Sequence, residues 1–244
     1  MKLLPSEQLL HLHDILTLFM IGIGSIIIYI GHTIKNNRYK LYISYSLIGF
    51  AIIQETIDYI NRIFLDELYN FTLSTDLPLQ FCVIGFYFSL FGIYMVISEK
   101  KFNSKLEQFI FDCAYVLGFS GALQGLITVD LTGVNNMIGA FSLNWAHSLI
   151  ILNVLWLIFA YDKRFHLKGI LNTFLFINII IIPVGFINYI LDANYMFLCQ
   201  PPNVKSAFII GVWPYYLAYL EGIYLVYIFI LYLPFVIAKK IQKK

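Results

Sequence analysis

The sequence predicts an all-α integral membrane protein, a bundle of seven transmembrane helices with its N-terminus outside and its C-terminus in the cytoplasm. Hydrophobic residues make up 60% of the 244 residues and charged residues only 12%, which excludes an ordinary soluble domain. Runs of roughly 20 apolar residues are long enough to cross a bilayer as helices. Seven such runs are present, at about 15–34, 40–60, 77–97, 106–127, 141–161, 170–191 and 214–237. Together they occupy most of the chain, so we predict a single domain over 1–244.

The basic residues give the orientation, because Lys and Arg near the ends of spans stay on the cytoplasmic side. Of the 16 Lys and Arg residues, 13 lie in the first, third and fifth connections and the C-terminal tail. These are Lys35, Arg38, Lys40, Lys100, Lys101, Lys105, Lys163, Arg164, Lys168, Lys239, Lys240, Lys243 and Lys244. The opposite side has only Lys2, Arg62 and Lys205. The net charge of +2 therefore reflects an inner basic fringe, and we expect no nucleic-acid partner.

The first two runs carry polar groups at their outer ends. His11, His13 and Asp14 precede the first run, which has no small-residue cleavage site and is predicted to be a span rather than a signal peptide. Near the end of the second run, Glu55 and Asp58 share a helical face with Arg62. Both acids are predicted to lie in the outer half of the bilayer.

The remaining runs add further candidate residues. The third opens Leu77-Pro78-Leu79-Gln80-Phe81-Cys82, where proline suits a first helical turn. Small residues at 118–121 of the fourth permit close helix packing. Asn144 and His147 follow the start of the fifth run, and Pro183 predicts a kink in the sixth.

Cys82 and His147 form the leading candidate site. Counted from the predicted span starts, they lie ~8 Å and ~9 Å below the outer boundary at 1.5 Å per residue. At matched depth, an imidazole can take the proton of a thiol, and the thiolate can then attack an ester carbonyl. The alternatives are that Cys82 only packs in an apolar core and that His147 only makes a structural hydrogen bond. Histidine within a span nevertheless tends to mark function.

Other polar residues are predicted to support this pair. Gln124 and Asn144 are candidate donors to a developing oxyanion, or else bridges between helices. Glu55 and Asp58 either orient a histidine or form ion pairs with Arg62. We predict no metal and no cofactor, because His11 and His13 would point nearly opposite ways on a helix. The alternative is a zinc hydrolase site.

Several motifs occur in an order that resembles a known family. They are Leu77-Pro78-Leu79-Gln80-Phe81-Cys82, the stretch from Gln124 to Asp130, His147-Ser148-Leu149, Asn194-Tyr195-Met196-Phe197-Leu198 with Pro201 or Pro202, and Trp213-Pro214-Tyr215-Tyr216. In this order the chain resembles the YwaF-type integral membrane proteins, seven-span bacterial proteins with vertebrate relatives, from about residue 5 to Leu233-Pro234. The departures are Val129, where the family pattern has proline, and Tyr215 in place of a second tryptophan.

The resemblance implies a function. The vertebrate relatives look like phospholipid acyltransferases that use a cysteine and a histidine, which implies Cys82 as acyl acceptor and His147 as base. Asn194, Tyr195 and Trp213 are then expected to orient substrate beside them. We therefore predict a phospholipid acyltransferase of the bacterial plasma membrane, with phospholipid donor and lysophospholipid acceptor as partners and no protein partner. The alternatives are a lipid hydrolase at the same site and a seven-span receptor-like or transporter-like binding protein.

Overall fold

The computed structural model describes residues 3–201 and 209–241, and this part of the chain is all-α. Its seven helices are α1 (Ser6–Thr33), α2 (Asn37–Ile60), α3 (Phe81–Ile97), α4 (Ser104–Ile127), α5 (Met137–Tyr161), α6 (Leu167–Leu191) and α7 (Tyr215–Ile241). A π-helical turn at Asn61–Leu65 extends α2, and another at Gly118–Ala122 interrupts α4. Lys2, Pro202, Lys205, Lys243 and Lys244 lie outside the described residues.

The chain is a multi-pass membrane protein. Five of the helices, α1, α4, α5, α6 and α7, are long and apolar enough to cross a bilayer. The apolar α3 has only 17 residues, and α2 is not among the five although it has 24. The all-α fold and the multi-pass bundle are confirmed, whereas seven full crossings stay a prediction.

Local sequence explains where several helices begin and end. The side chains of Asn36, Asn103 and Asn136 each accept a hydrogen bond from a backbone N–H in the first turn of the following helix. Such caps satisfy donors that have no partner within the helix. Asp162 and Asp192, at φ 55° and 49°, end α5 and α6 in the left-handed conformation that stops a helix.

Helix α5 lies at the centre and packs against α1, α2, α3 and α4. Its polar side chains tie it to three of these neighbours. Asn144 Nδ2 donates to Thr17 Oγ1 of α1 (2.7 Å), Asn153 Nδ2 to Ser89 Oγ of α3 (3.0 Å), and Trp156 Nε1 to Ser44 Oγ of α2 (2.8 Å). Helix α6 packs on α4 and α7, so α7 lies at the edge of the bundle.

Three helix boundaries at the ends predicted to be outer are wrong. Helix α1 begins at Ser6 rather than 15, because buried His13 is accommodated by hydrogen bonds to neighbouring helices. Helix α3 begins at Phe81 rather than 77, so Pro78 precedes the helix. Helix α5 begins at Met137 rather than 141. Counted from these helix starts, Cys82 is the second residue of α3 and His147 the eleventh of α5, so the two do not lie at matched positions along their helices.

Candidate functional site

Cys82 lies at the start of α3, beside backbone donors that the helix leaves unpaired. Gln80 precedes the helix but does not cap it, because its Oε1 accepts instead from Met196 N at 2.9 Å. The first N–H groups of a helix have no acceptor within it and carry a partial positive charge. The half-buried side chain of Cys82 lies at this end of the helix.

Two glycines of α4 lie directly behind Cys82 and His147. A β-carbon added to Gly121 would lie 3.0 Å from Cys82 N and 3.3 Å from Cys82 Cβ. One added to Gly125 would lie 2.5 Å from His147 Nε2. The two glycines are four residues apart, which is about one turn and ~6 Å along the axis. Cys82 and His147 therefore pack on one face of α4, on adjacent turns, although no hydrogen bond joins them.

The hydrogen bonds of His147 define its tautomer. His147 Nδ1 lies 2.8 Å from the carbonyl oxygen of Leu143, one turn earlier in α5. A carbonyl oxygen only accepts, so Nδ1 carries the proton and donates it, which leaves the lone pair on Nε2. Nε2 is also the ring atom nearest Gly125. In a neutral imidazole held in this way, Nε2 is the atom that can accept a proton.

Gln124 and Asn144 differ in their surroundings. Gln124 precedes Gly125, and its Oε1 accepts from Thr128 Oγ1 (3.0 Å), while its Nε2 makes no hydrogen bond to a described residue. Asn144 Nδ2 donates to the backbone oxygen of His13 (3.2 Å) as well as to Thr17, so this side chain bridges α5 to α1. Of the two residues, Gln124 has the amide group that is free to donate.

Glu55 and Asp58 lie on α2, and no hydrogen bond links either of them to Cys82 or His147. Asp58 forms an ion pair with Arg62, one turn later. Arg62 also contacts Asp76 in the following connection, with Nη1 3.1 Å from Oδ1. Glu55 is half-buried and forms no ion pair within the described residues. For Asp58, the ion-pair alternative is the one that the contacts support.

Asp76 is the centre of a hydrogen-bonded cluster outside the spans. It accepts from the Tyr69 hydroxyl (2.5 Å), Thr72 N (2.9 Å), Thr75 Oγ1 (2.7 Å) and Arg62 Nη1 (3.1 Å). Burial alone would raise the pKa of Asp76, but these donors outweigh it and hold the pKa below its usual value. Burial and the bond to Asp76 raise the pKa of Tyr69 to about 12. The cluster fixes the connection between α2 and α3.

The connection between α6 and α7 folds onto the start of α3. Tyr195 is buried, and its hydroxyl donates to the Leu73 oxygen (2.7 Å) and accepts from Leu77 N (2.8 Å). Asn194 Oδ1 accepts from the backbone N–H groups of Cys199 and Gln200, so it organises its own loop. Asn194 and Tyr195 therefore act on the segment that precedes Cys82 and make no hydrogen bond to Cys82 itself.

Trp213 lies at the surface with 59% of its area exposed, and its Nε1 donates to the Leu198 oxygen at 3.0 Å. It joins the described ends of the loop between α6 and α7, and it makes no hydrogen bond to Cys82 or His147. Among the described residues, no group of three or more His, Cys, Asp or Glu side chains is arranged to hold a metal ion. His11 is exposed on α1, whereas His13 is buried, with Nε2 3.2 Å from the Leu126 oxygen.

The sequence places Gly121 among small residues that permit close packing, but it does not link Gly121 or Gly125 to Cys82 and His147. The signal was present, because Gly121-Ala122-Leu123-Gln124-Gly125 is a small-xxx-small pattern in an apolar helix. Such a pattern lets another segment approach the helix closely. The sequence does not say which side chains make that approach.

Comparison with known proteins gives one match. The family model described as the TMEM164 family matches residues 5–232. No curated protein and no solved structure matches the chain. The predicted membership in a family of multi-pass membrane proteins over nearly the whole chain is confirmed, while the closer likeness to the YwaF-type branch stays a prediction.

Proposed function

Because the chain belongs to the TMEM164 family of membrane proteins, we propose that it is a phospholipid acyltransferase that works through a thioester on Cys82 with His147 as the base. One observation carries the proposal: Cys82 and His147 pack against glycines one turn apart on the same face of α4. The uncapped start of α3 and the free lone pair on His147 Nε2 add to it. Membership in the family supports this function without specifying it.

In the first step His147 Nε2 takes the thiol proton, and the Cys82 sulfur attacks an ester carbonyl of a phospholipid. The negative charge on the carbonyl oxygen is stabilised by the N–H groups at the start of α3 and by the free amide of Gln124. The ester C–O bond then breaks, and the leaving lysolipid alkoxide takes the proton from His147. The products are a Cys82 thioester and a lysophospholipid.

In the second step the chemistry runs in reverse with a new acceptor. His147 Nε2 takes the proton of a lysophospholipid hydroxyl, and the hydroxyl oxygen attacks the thioester carbonyl. The C–S bond breaks, and the proton returns from His147 to the Cys82 sulfur. An apolar surrounding helps because it keeps water, the competing acceptor, away from the thioester.

We propose further that all seven helices cross the membrane, with the N-terminus outside, so that the site serves the outer leaflet of the plasma membrane of a bacterium. The 13-to-3 distribution of basic residues supports this orientation. A reporter that is active only in the cytoplasm should give a signal when it is fused after Lys244. A fusion that reads as external would contradict both the orientation and the outer-leaflet site.

The direct test is the intact mass of the purified protein after incubation with phospholipid. The wild type should gain one acyl chain that hydroxylamine removes, and Cys82→Ala should gain none. Cys199→Ala is the matched control, because Cys199 is the exposed cysteine of the last outer loop and should be dispensable. His147→Ala should fold normally and acylate roughly 10²–10⁴ times more slowly, as is typical for a lost general base.

The other outcomes separate the alternatives. Full lipid remodelling by Cys82→Ala would exclude covalent catalysis on this residue. An adduct that passes to water and never to a lysolipid indicates a hydrolase. Lipid binding by a wild type that never forms an adduct favours a binding protein, and inhibition by a chelator while Cys82→Ala stays active favours a zinc hydrolase.

A further inference from the structure

Buried polar side chains form a row between α2 and α5, in the outer half of the bundle. Five of their atoms have no hydrogen-bond partner among the described residues: Asn136 Nδ2, Asn61 Oδ1, Gln54 Oε1, Ser142 Oγ and Trp145 Nε1. A sixth such atom, Asn153 Oδ1, lies about two turns further along α5. Buried polar atoms are nearly always hydrogen-bonded, so five in one row require an explanation.

Contacts between the two antiparallel helices follow the row along both of them. At its outer end, Asn61 Nδ2 lies 3.4 Å from the position of a β-carbon on Gly139. Next, Gln54 Nε2 reaches the backbone oxygen of Ser142 at 3.5 Å. Deeper still, the rings of Phe50 and Trp145 are 6.0 Å apart. From 136 to 145 the row covers nine residues of α5, or ~14 Å at 1.5 Å per residue.

The outer end of the row meets a cavity of about 60 Å³. The cavity is lined by Leu3, Leu65, Asp66, Glu67, Leu68 and Asn136. Asn136 therefore belongs to both the cavity and the row. Its Oδ1 accepts from Gly139 N at 2.9 Å, which fixes the amide orientation and leaves Nδ2 as a donor.

The types of unpaired atom indicate the ligand. Asn136 Nδ2 and Trp145 Nε1 are donors, Asn61 Oδ1 and Gln54 Oε1 are acceptors, and the Ser142 hydroxyl is both. A cation would leave the donors unpaired, and an anion would leave the acceptors unpaired. Water molecules both donate and accept, so several of them can satisfy all five atoms. Water also commonly bridges polar atoms that are too far apart for a direct hydrogen bond.

We propose that this row is a binding site for a file of water molecules that enters from the outer cavity and extends to the Trp145 indole. The file ends at Trp145, two residues before His147 in α5, and residues two apart on a helix do not face the same way, so the thioester stays away from the file. The proposal does not depend on acyl transfer, since it rests on the unpaired atoms between α2 and α5.

Hydroxyl-radical footprinting tests this proposal, because radicals made from water by brief X-ray exposure label aromatic side chains that lie beside water. The protein is used as the full chain in lipid nanodiscs, and labelling is read by mass spectrometry. Its three tryptophans provide internal controls. Trp213 is exposed, whereas Trp156 is fully buried with its Nε1 already bonded to Ser44. Trp145 should be labelled several-fold faster than Trp156, and equal labelling of the two would overturn the proposal.

A variant separates water in the row from water at the lipid-facing edge of Trp145, which is only half-buried. Gln54→Leu with Ser142→Ala removes two of the polar partners. Trp145 labelling should fall several-fold, towards the value for Trp156, while Trp213 labelling stays unchanged. Unchanged Trp145 labelling would show that the water lies elsewhere. Ser142→Ala alone, a smaller change, gives the same comparison if the double variant does not fold.

Discussion

Gly125→Ala tests whether the position of His147 on α4 sets the rate of acylation. The added β-carbon would lie 2.5 Å from His147 Nε2, 2.7 Å from Cδ2 and 2.8 Å from Cε1. Ordinary contact begins at 3.4 Å, so the imidazole must move by about 0.9 Å (3.4 minus 2.5). Since the ring is the end of a flexible side chain, it can rotate away at little cost to stability.

That displacement should be costly for catalysis. A misplacement of 1 Å can lower an enzymatic rate by ~10²-fold, which corresponds to about 2.7 kcal/mol in the barrier at 1.36 kcal/mol per tenfold change. We therefore expect Gly125→Ala to form the Cys82 adduct about 100-fold more slowly, with KM and unfolding temperature near the wild-type values. Single-turnover acylation followed by intact mass measures the rate.

Two other glycines make the comparison specific. A β-carbon on Gly49 in α2 would have nothing within 4 Å, so Gly49→Ala should leave the rate unchanged. A β-carbon on Gly121 would meet the backbone N and Cα of Cys82 at 3.0 Å and 3.2 Å, so Gly121→Ala must shift α3 and should lower both stability and rate. If Gly125→Ala forms the adduct as fast as the wild type, the close packing of His147 on α4 has no part in the reaction.

Two further predictions concern the outer connections. The folded-state pKa of Asp76 lies below its unfolded value, so its ionised form stabilises the fold above about pH 4, and this contribution should be lost as the pH falls through the folded pKa. Asp76→Asn should therefore unfold more readily at pH 7, and its thermal unfolding between pH 3 and 7 should lose that part of the pH dependence. An unchanged pH profile would contradict the assignment. Tyr195→Phe leaves Leu77 N and the Leu73 oxygen without their partner, so the free energy of unfolding should fall by about 1–3 kcal/mol, the cost of buried unpaired groups. Denaturant unfolding in detergent measures this change, and Tyr189→Phe at an exposed tyrosine is the control. Equal stability of the two variants would be the contrary result.

The local sequence determined the helices, because a bilayer admits few structures. Each apolar run has to satisfy its own backbone hydrogen bonds in hydrocarbon, so each run can be assigned as a helix without knowledge of its neighbours. The inner ends of α1 to α6 were predicted within three residues. The ends of α1 and α5 predicted to be outer were not, because polar residues such as His13 are held in helices by neighbouring segments that a sequence window does not see. Helix α3 starts late instead, and Leu77 N before it donates to the Tyr195 hydroxyl from another part of the chain.

Residue chemistry also singled out Cys82 and His147, since a thiol and an imidazole in an apolar chain are uncommon and reactive. The sequence did not show how Cys82 and His147 lie relative to each other. The matched depths came from span boundaries that were each wrong by four residues, in opposite directions along the chain (77 against 81, and 141 against 137).

Only the tertiary structure decided what surrounds these two residues. The packing of α3 and α5 against α4 puts Gly121 behind Cys82 and Gly125 behind His147. The same packing leaves Gln124 with a free amide and uses the amide of Asn144 to hold α1. The physical reason is that a helix is specified by neighbours three and four residues away in sequence, whereas a site between helices depends on their relative rotation and translation. Those are set by the fit of side chains from distant parts of the chain.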